Sequence, residues 1–73
     1  MNRPERLIGL VHDAKRCTFD GRSCWIASIN DERRRFLVEA RNVSEHDTQT
    51  EARAWLEREL PTRGVPFSIE VES

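Results

Sequence analysis

Residues 4–16 read "PERLIGLVHDAKR", and two incompatible elements fit them. Leu7, Leu10, Val11 and Ala14 recur at i, i+3, i+4 and i+7, with Ile8 on the flank, which is the spacing of an amphipathic helix. Pro4 suits a first helical turn, and Glu5 suits the positive end of the helix dipole. Gly9 counts against a helix by up to about 1 kcal/mol. Read as a strand, "RLIGLVH" places Leu7, Gly9 and Val11 on one side and Ile8, Leu10 and His12 on the other, and neither set is polar. The spacing favours the helix, which makes the element order α-β-β-β-α-β. A strand here would make it β-β-β-α-β.

The next residues, Cys17 to Cys24, read "CTFDGRSC". Asp20-Gly21 is the signature of a two-residue type I′ hairpin. It predicts Phe19 opposite Arg22, Thr18 opposite Ser23 and Cys17 opposite Cys24. The following "CWIASI" alternates, with Trp25, Ala27 and Ile29 on one face and Cys24, Ile26 and Ser28 on the other. Asn30-Asp31-Glu32 reads as a second turn. Residues 33–41, "RRRFLVEAR", then alternate Phe36, Val38 and Ala40 against Leu37, Glu39 and Arg41. Two such strands fit an antiparallel meander with one wet face.

After the polar "NVSEHD" a helix follows. Thr48 and Glu51 form a T-x-x-E capping box, and Asp47 adds negative charge at its start. Ala52, Trp55, Leu56 and Leu60 make the apolar stripe, while Arg53 and Glu57 pair at i, i+4 outside. Pro61 stops the helix and Arg63-Gly64 turns the chain. The closing "VPFSIEVE" alternates Phe67, Ile69 and Val71 inward with Ser68, Glu70 and Glu72 outward, and Pro66 marks an edge strand. The expected architecture is α+β, one domain over residues 1–73. A three- to four-stranded antiparallel sheet has one face packed by one or two helices. Trp25, Ile29, Phe36, Val38, Phe67, Ile69 and Val71 are its expected inner face, covered by Trp55, Leu56 and Leu60.

The composition bounds what such a domain does. In 73 residues, 37% are apolar and 34% charged, and the net charge is −1. Residues 1–41 hold nine basic against six acidic side chains, and residues 42–73 three against seven. No run approaches the roughly 20 apolar residues of a membrane span. The opening residues lack a signal-peptide apolar region, so a cytoplasmic location is expected. In that compartment disulfides are rare, and Cys17 and Cys24 are expected to be reduced and packed. Their C-x6-C spacing is wider than zinc sites use, and His12 and His46 lie on opposite sides of the strands, so no metal or cofactor is expected.

Catalytic signatures are lacking. There is no G-x-S-x-G and no Gly-rich phosphate loop, and His46-Asp47 reads as a helix-entry loop. The expected function is non-catalytic docking on a protein partner, of the inhibitor, antitoxin or phage-encoded anti-defence type. Ile26 and Leu37 on the wet face, with Arg33, Arg34 and Arg35 around them, form the expected contact patch. The alternative is a nucleic-acid-binding module using Arg16, Arg22, Arg33, Arg34 and Arg35 on phosphates. A homodimer through an exposed edge strand is a further expectation.

Two resemblances bear on this. The α-β-β-β-α order resembles the double-stranded-RNA-binding fold in outline, but the start of the last helix, lysine-rich in that fold, is acidic here at Glu45, Asp47 and Glu51. Residues 46–67, "HDTQTEARAWLERELPTRGVPF", are similar to the strand-helix-turn segment of HicB-type antitoxins through Asp47, Thr48, Glu51, Ala52, Gly64 and Pro66. The Pro-Asp-Leu-Pro-Gly loop typical before that helix is absent. The second resemblance implies a topology, with a helix entered from preceding strands.

Overall fold

The computed structural model describes residues 5–14 and 24–72. Among these residues the fold is α+β, with strands β1 (Leu7–Asp13), β2 (Trp25–Asp31), β3 (Val43–His46) and β4 (Phe67–Glu72), and one α-helix, α1 (Gln49–Glu59). The four strands form one sheet in the order β3-β2-β1-β4. β2 is antiparallel to both neighbours, whereas β1 and β4 are parallel. The sheet is therefore mixed and not purely antiparallel. The path from β3 through α1 to β4 is a crossover that passes over β2 and β1.

Residues 7–13 form a strand, so the helix favoured by their spacing is overturned. β1 lies between β2 and β4 and is apolar on both faces. A strand buried on both faces shows no alternation of polarity, which is why its period misleads. Leu7 and Val11 join the buried core with Ala27, Ile29, Ala52, Leu56 and Leu60. Gly9 lies directly beneath α1: a Cβ there would stand 2.9 Å from Leu60 Cδ1 and 3.1 Å from both Leu56 methyls. The glycine that weakens the helix reading is what lets α1 approach the sheet.

Asp13 is opposite Trp25, and Ala14 N–H donates to Cys24 O at 2.8 Å. The two-residue pairing expected at Asp20-Gly21 would, if continued, oppose Asp13 to Ser28, so the observed ladder does not continue that register. The turn itself, with Cys17, lies outside the described residues. Cys24 is buried and disulfide-bonded, which corrects the expectation of a reduced thiol.

The expected strand over residues 33–41 is replaced by an excursion. Asp31 to Arg34 form a turn in which Arg34 N–H donates to Asp31 O at 2.9 Å, and Arg34 takes a left-handed φ of 63°. That is a three-residue loop closed by a left-handed residue, with Asp31 N–H donating to Arg35 O at 3.0 Å. Phe36 bridges Asn30, and Leu37 N–H donates to Ile29 O at 3.3 Å. The chain then leaves β2 through a 3-10 turn at Ala40–Asn42 and returns as β3, with Val43 opposite Ser28. The faces are the reverse of those expected. Leu37 packs against the core, while Phe36 is 43% and Val38 86% exposed.

The helix follows its local signals. Thr48 Oγ1 accepts from Glu51 N–H at 3.1 Å, and Arg53 meets Glu57 at 3.4 Å. Ala52, Leu56 and Leu60 are fully buried, and Trp55 packs beside them. A 3-10 turn, Leu60–Arg63, carries Pro61 and ends at Gly64 with a φ of 74°. β4 puts Phe67, Ile69 and Val71 on the α1 side, but α1 does not extend over it: Phe67 and Val71 stay 37% and 39% exposed, and the strand lacks the expected alternation of burial. No helix among the described residues is long and apolar enough to cross a membrane.

Candidate functional site

Gly9 faces α1, so strand alternation sends Ile8, Leu10 and His12 to the other face of β1. The pairing register adds Asn30, Ser28 and Ile26 from β2 and Ser68, Glu70 and Glu72 from β4. Phe36 opposite Asn30, Val43 opposite Ser28 and Glu45 opposite Ile26 complete this face at the far edge; it is helix-free among the described residues.

A continuous polar row crosses it. Arg34 Nη2 donates to Glu70 Oε1 at 2.7 Å, and Arg34 Nη1 stands 3.9 Å from Glu72 Oε1. Glu72 Oε2 lies 3.0 Å from His12 Nδ1, and His12 Nε2 lies 3.5 Å from Ser28 Oγ. Asn30 Nδ2 donates to Ser28 Oγ at 3.1 Å and to Ile8 O at 3.2 Å. Ser28 and Asn30 are buried, and these contacts engage Ser28 Oγ and Asn30 Nδ2. Arg34 reaches β4 from the turn after β2, and so bridges over the end of β1. Beside the row, Ile26, Phe36 and Val43 form an apolar strip.

The sequence-derived site residues divide. Ile26 sits on the helix-free face, half-buried; Leu37 is on the opposite side, packed on the core. They do not share a patch. Arg34 is tied to Glu70, and Arg35 Nε donates to Asp31 Oδ2 at 2.8 Å. Arg33 is exposed, and its N–H donates to Asp31 Oδ1 at 2.9 Å. Arg16 and Arg22 lie outside the described residues. His46 opposes Trp25 on the core side, its ring centroid 6.2 Å from that of Trp55. No group of His, Cys, Asp or Glu among the described residues is arranged to hold a metal ion.

Sequence reasoning missed the polar row and the Phe36–Val43 strip. The signal was His12 at the end of the otherwise apolar alternate set Ile8 and Leu10, which becomes informative only once residues 7–13 are read as a strand. Compared with known protein families, curated proteins and solved structures, the chain matches none.

Proposed function

We propose that this chain is a non-catalytic binding protein, of the inhibitor or antitoxin type, that docks on a protein partner through the β2–β3 side of its helix-free face. The observation that carries this reading is the apolar strip of Ile26, Phe36 and Val43, with Phe36 43% and Val43 38% exposed. Apolar side chains gathered on one face and edged by charge are the composition of a docking surface. Glu45 flanks the strip on β3 and exposed Arg33 stands in the turn before Phe36, so the rim carries both charges. The matching partner presents an apolar centre and a rim of complementary mixed charge.

Two observations weigh against the rival readings. Arg34 and Arg35 are engaged with carboxylates of their own chain, which reduces the charge they can offer to phosphate. Glu72, His12 and Ser28 follow the bond order of an activated hydroxyl. Yet β2 is paired on both sides, so its backbone N–H groups are spent in ladders and offer no oxyanion site beside Ser28.

Capture of partners on the immobilised protein, with and without nuclease, tests the reading. A protein retained after nuclease and lost with Phe36→Asp or Val43→Asp supports it. Capture that needs nucleic acid and is lost with Arg33→Ala moves phosphate binding to first place. Capture indifferent to both sets of variants places the partner elsewhere. The cytoplasmic location in this reading is tested separately, because disulfides are rare there and Cys24 is bonded. Cells lysed directly into denaturant with an alkylating reagent are expected to yield labelled Cys24 if the protein resides in a reducing compartment, since the thiol is buried in the fold.

A further inference from the structure

β4 ends the sheet, and among the described residues no strand pairs with its outer edge. Leu7 is opposite Phe67, and its N–H donates to Pro66 O at 2.9 Å. In a parallel ladder that geometry turns the backbone groups of Pro66, Ser68, Glu70 and Glu72 toward β1. Those of Phe67, Ile69 and Val71 therefore point outward. Pro66, which has no N–H, falls in the inward set, so the outward row of donors and acceptors is complete from Phe67 to Val71. The same three residues put apolar side chains on the α1 face, where Phe67 and Val71 are 37% and 39% exposed.

The geometry points to antiparallel pairing of β4 with β4 of a second copy, about a two-fold axis at Ile69. This register opposes Phe67 to Val71 of the second copy, and Ile69 to its own counterpart. All three are hydrogen-bonded pairs, because all three residues have outward backbone groups. On the helix-free face each Glu70 then meets Ser68. Moving the axis to Glu70 sets two carboxylates against each other, which is unfavourable. Moving it to Ser68 opposes Val71 to Val65, which lies before the strand. Charges commonly guard edge strands against such pairing. Here Glu70 is already matched by Arg34 at 2.7 Å in its own chain. The other edge strand, β3, has four residues against six in β4. The paired sheet carries both helices on one face, flanking a floor of Phe67, Ile69 and Val71 from the two copies. This edge lies across the sheet from the Phe36–Val43 strip, so the pairing stands independently of the partner-docking reading.

Sedimentation equilibrium over a dilution series tests it, with circular dichroism on each variant to establish folding. The wild-type chain is expected to show a monomer–dimer equilibrium, because an interface of one strand edge is small. Ser68→Glu, which faces Glu70 of the other copy, is expected to weaken dimerisation by roughly tenfold or more. Ser68→Lys at the same position is expected to strengthen it. Val71→Pro removes an outward N–H without touching the β1 ladder and is expected to weaken it as well. A folded wild-type chain that stays monomeric throughout overturns the proposal. So does a dimer whose dissociation constant is the same in Ser68→Glu and Ser68→Lys.

Discussion

Asp31 ends β2 and holds the turn that follows. Its Oδ1 accepts from Arg33 N–H and Arg35 N–H, each at 2.9 Å, and its Oδ2 from Arg35 Nε at 2.8 Å. The Arg35 backbone N–H is the main cause that holds the carboxyl below its ordinary pKa. Desolvation opposes this, while the Arg33 N–H and the Arg35 guanidinium add to it. A carboxyl whose pKa is lowered by folding stabilises the fold while ionised. That contribution is complete above the unfolded value, near 3.8, and is lost as pH falls through the folded one. Asp31→Asn is therefore expected to be less stable than wild type at neutral pH, with the gap closing below the unfolded value. Urea midpoints across that range check it, and a gap that stays constant removes the electrostatic account. Gly9 makes a steric case at the same scale. Overpacking costs about 1–3 kcal/mol, and the stiffer unfolded chain returns only ~0.4–1 kcal/mol. Leu56 and Leu60 are fully buried, so Gly9→Ala is expected to be destabilised by on the order of 1 kcal/mol in equilibrium unfolding. The turn at Asp31 was legible in the sequence, since its signal is local. The buried side of Leu37 was not, because one residue of register reverses every side chain.

Elements with local signals were readable and those fixed by distant contacts were not. α1 begins at its capping threonine and ends at its proline, and β4 forms where its alternating residues place it, though its burial does not alternate. Thr48→Ala is expected to cost about 1 kcal/mol of stability through the lost cap, measurable as a shift in the urea midpoint. β3 and the excursion before it depend on partners far along the chain. Asn42, which is buried, donates from Nδ2 to Leu37 O at 3.2 Å. Arg63 Nη2 donates to Arg41 O at 2.8 Å and to Asn42 Oδ1 at 2.9 Å, and Nη1 to Glu59 O at 3.0 Å. One guanidinium thus ties the excursion to the end of the helix, and nothing near residues 33–41 announces it. Arg63→Ala is expected to speed amide exchange in residues 38–43 while the Ala52 and Leu56 amides stay protected. Equal acceleration in both regions would mean that Arg63 supports the whole domain and not this latch.

At the scale of the molecule the decisive pairing is β1 with β4, which joins opposite ends of the chain. Leu7 faces Phe67 and Val11 faces Val71, so β1 becomes an interior strand only after the last strand arrives. This also explains why the candidate site was only partly legible. Glu70 and Glu72 meet His12 and Arg34 through that pairing, and no local pattern places them together. Without β4, β1 would be a sheet edge, and Leu10, buried beside Glu70, would lose that neighbour along with the ladder. A chain of this length buries a small core and has little stability to spare. Ending the chain at Gly64 keeps α1 and its caps but removes this ladder. It is expected to abolish the cooperative thermal transition in circular dichroism while leaving some helical signal. Adding residues 65–73 back as a separate peptide is expected to restore the transition in proportion to peptide concentration. A truncated chain that still unfolds cooperatively would make β1–β3 and α1 a self-sufficient unit, with β4 an appendage to it. The polar row would then be assembled after folding and not as part of it.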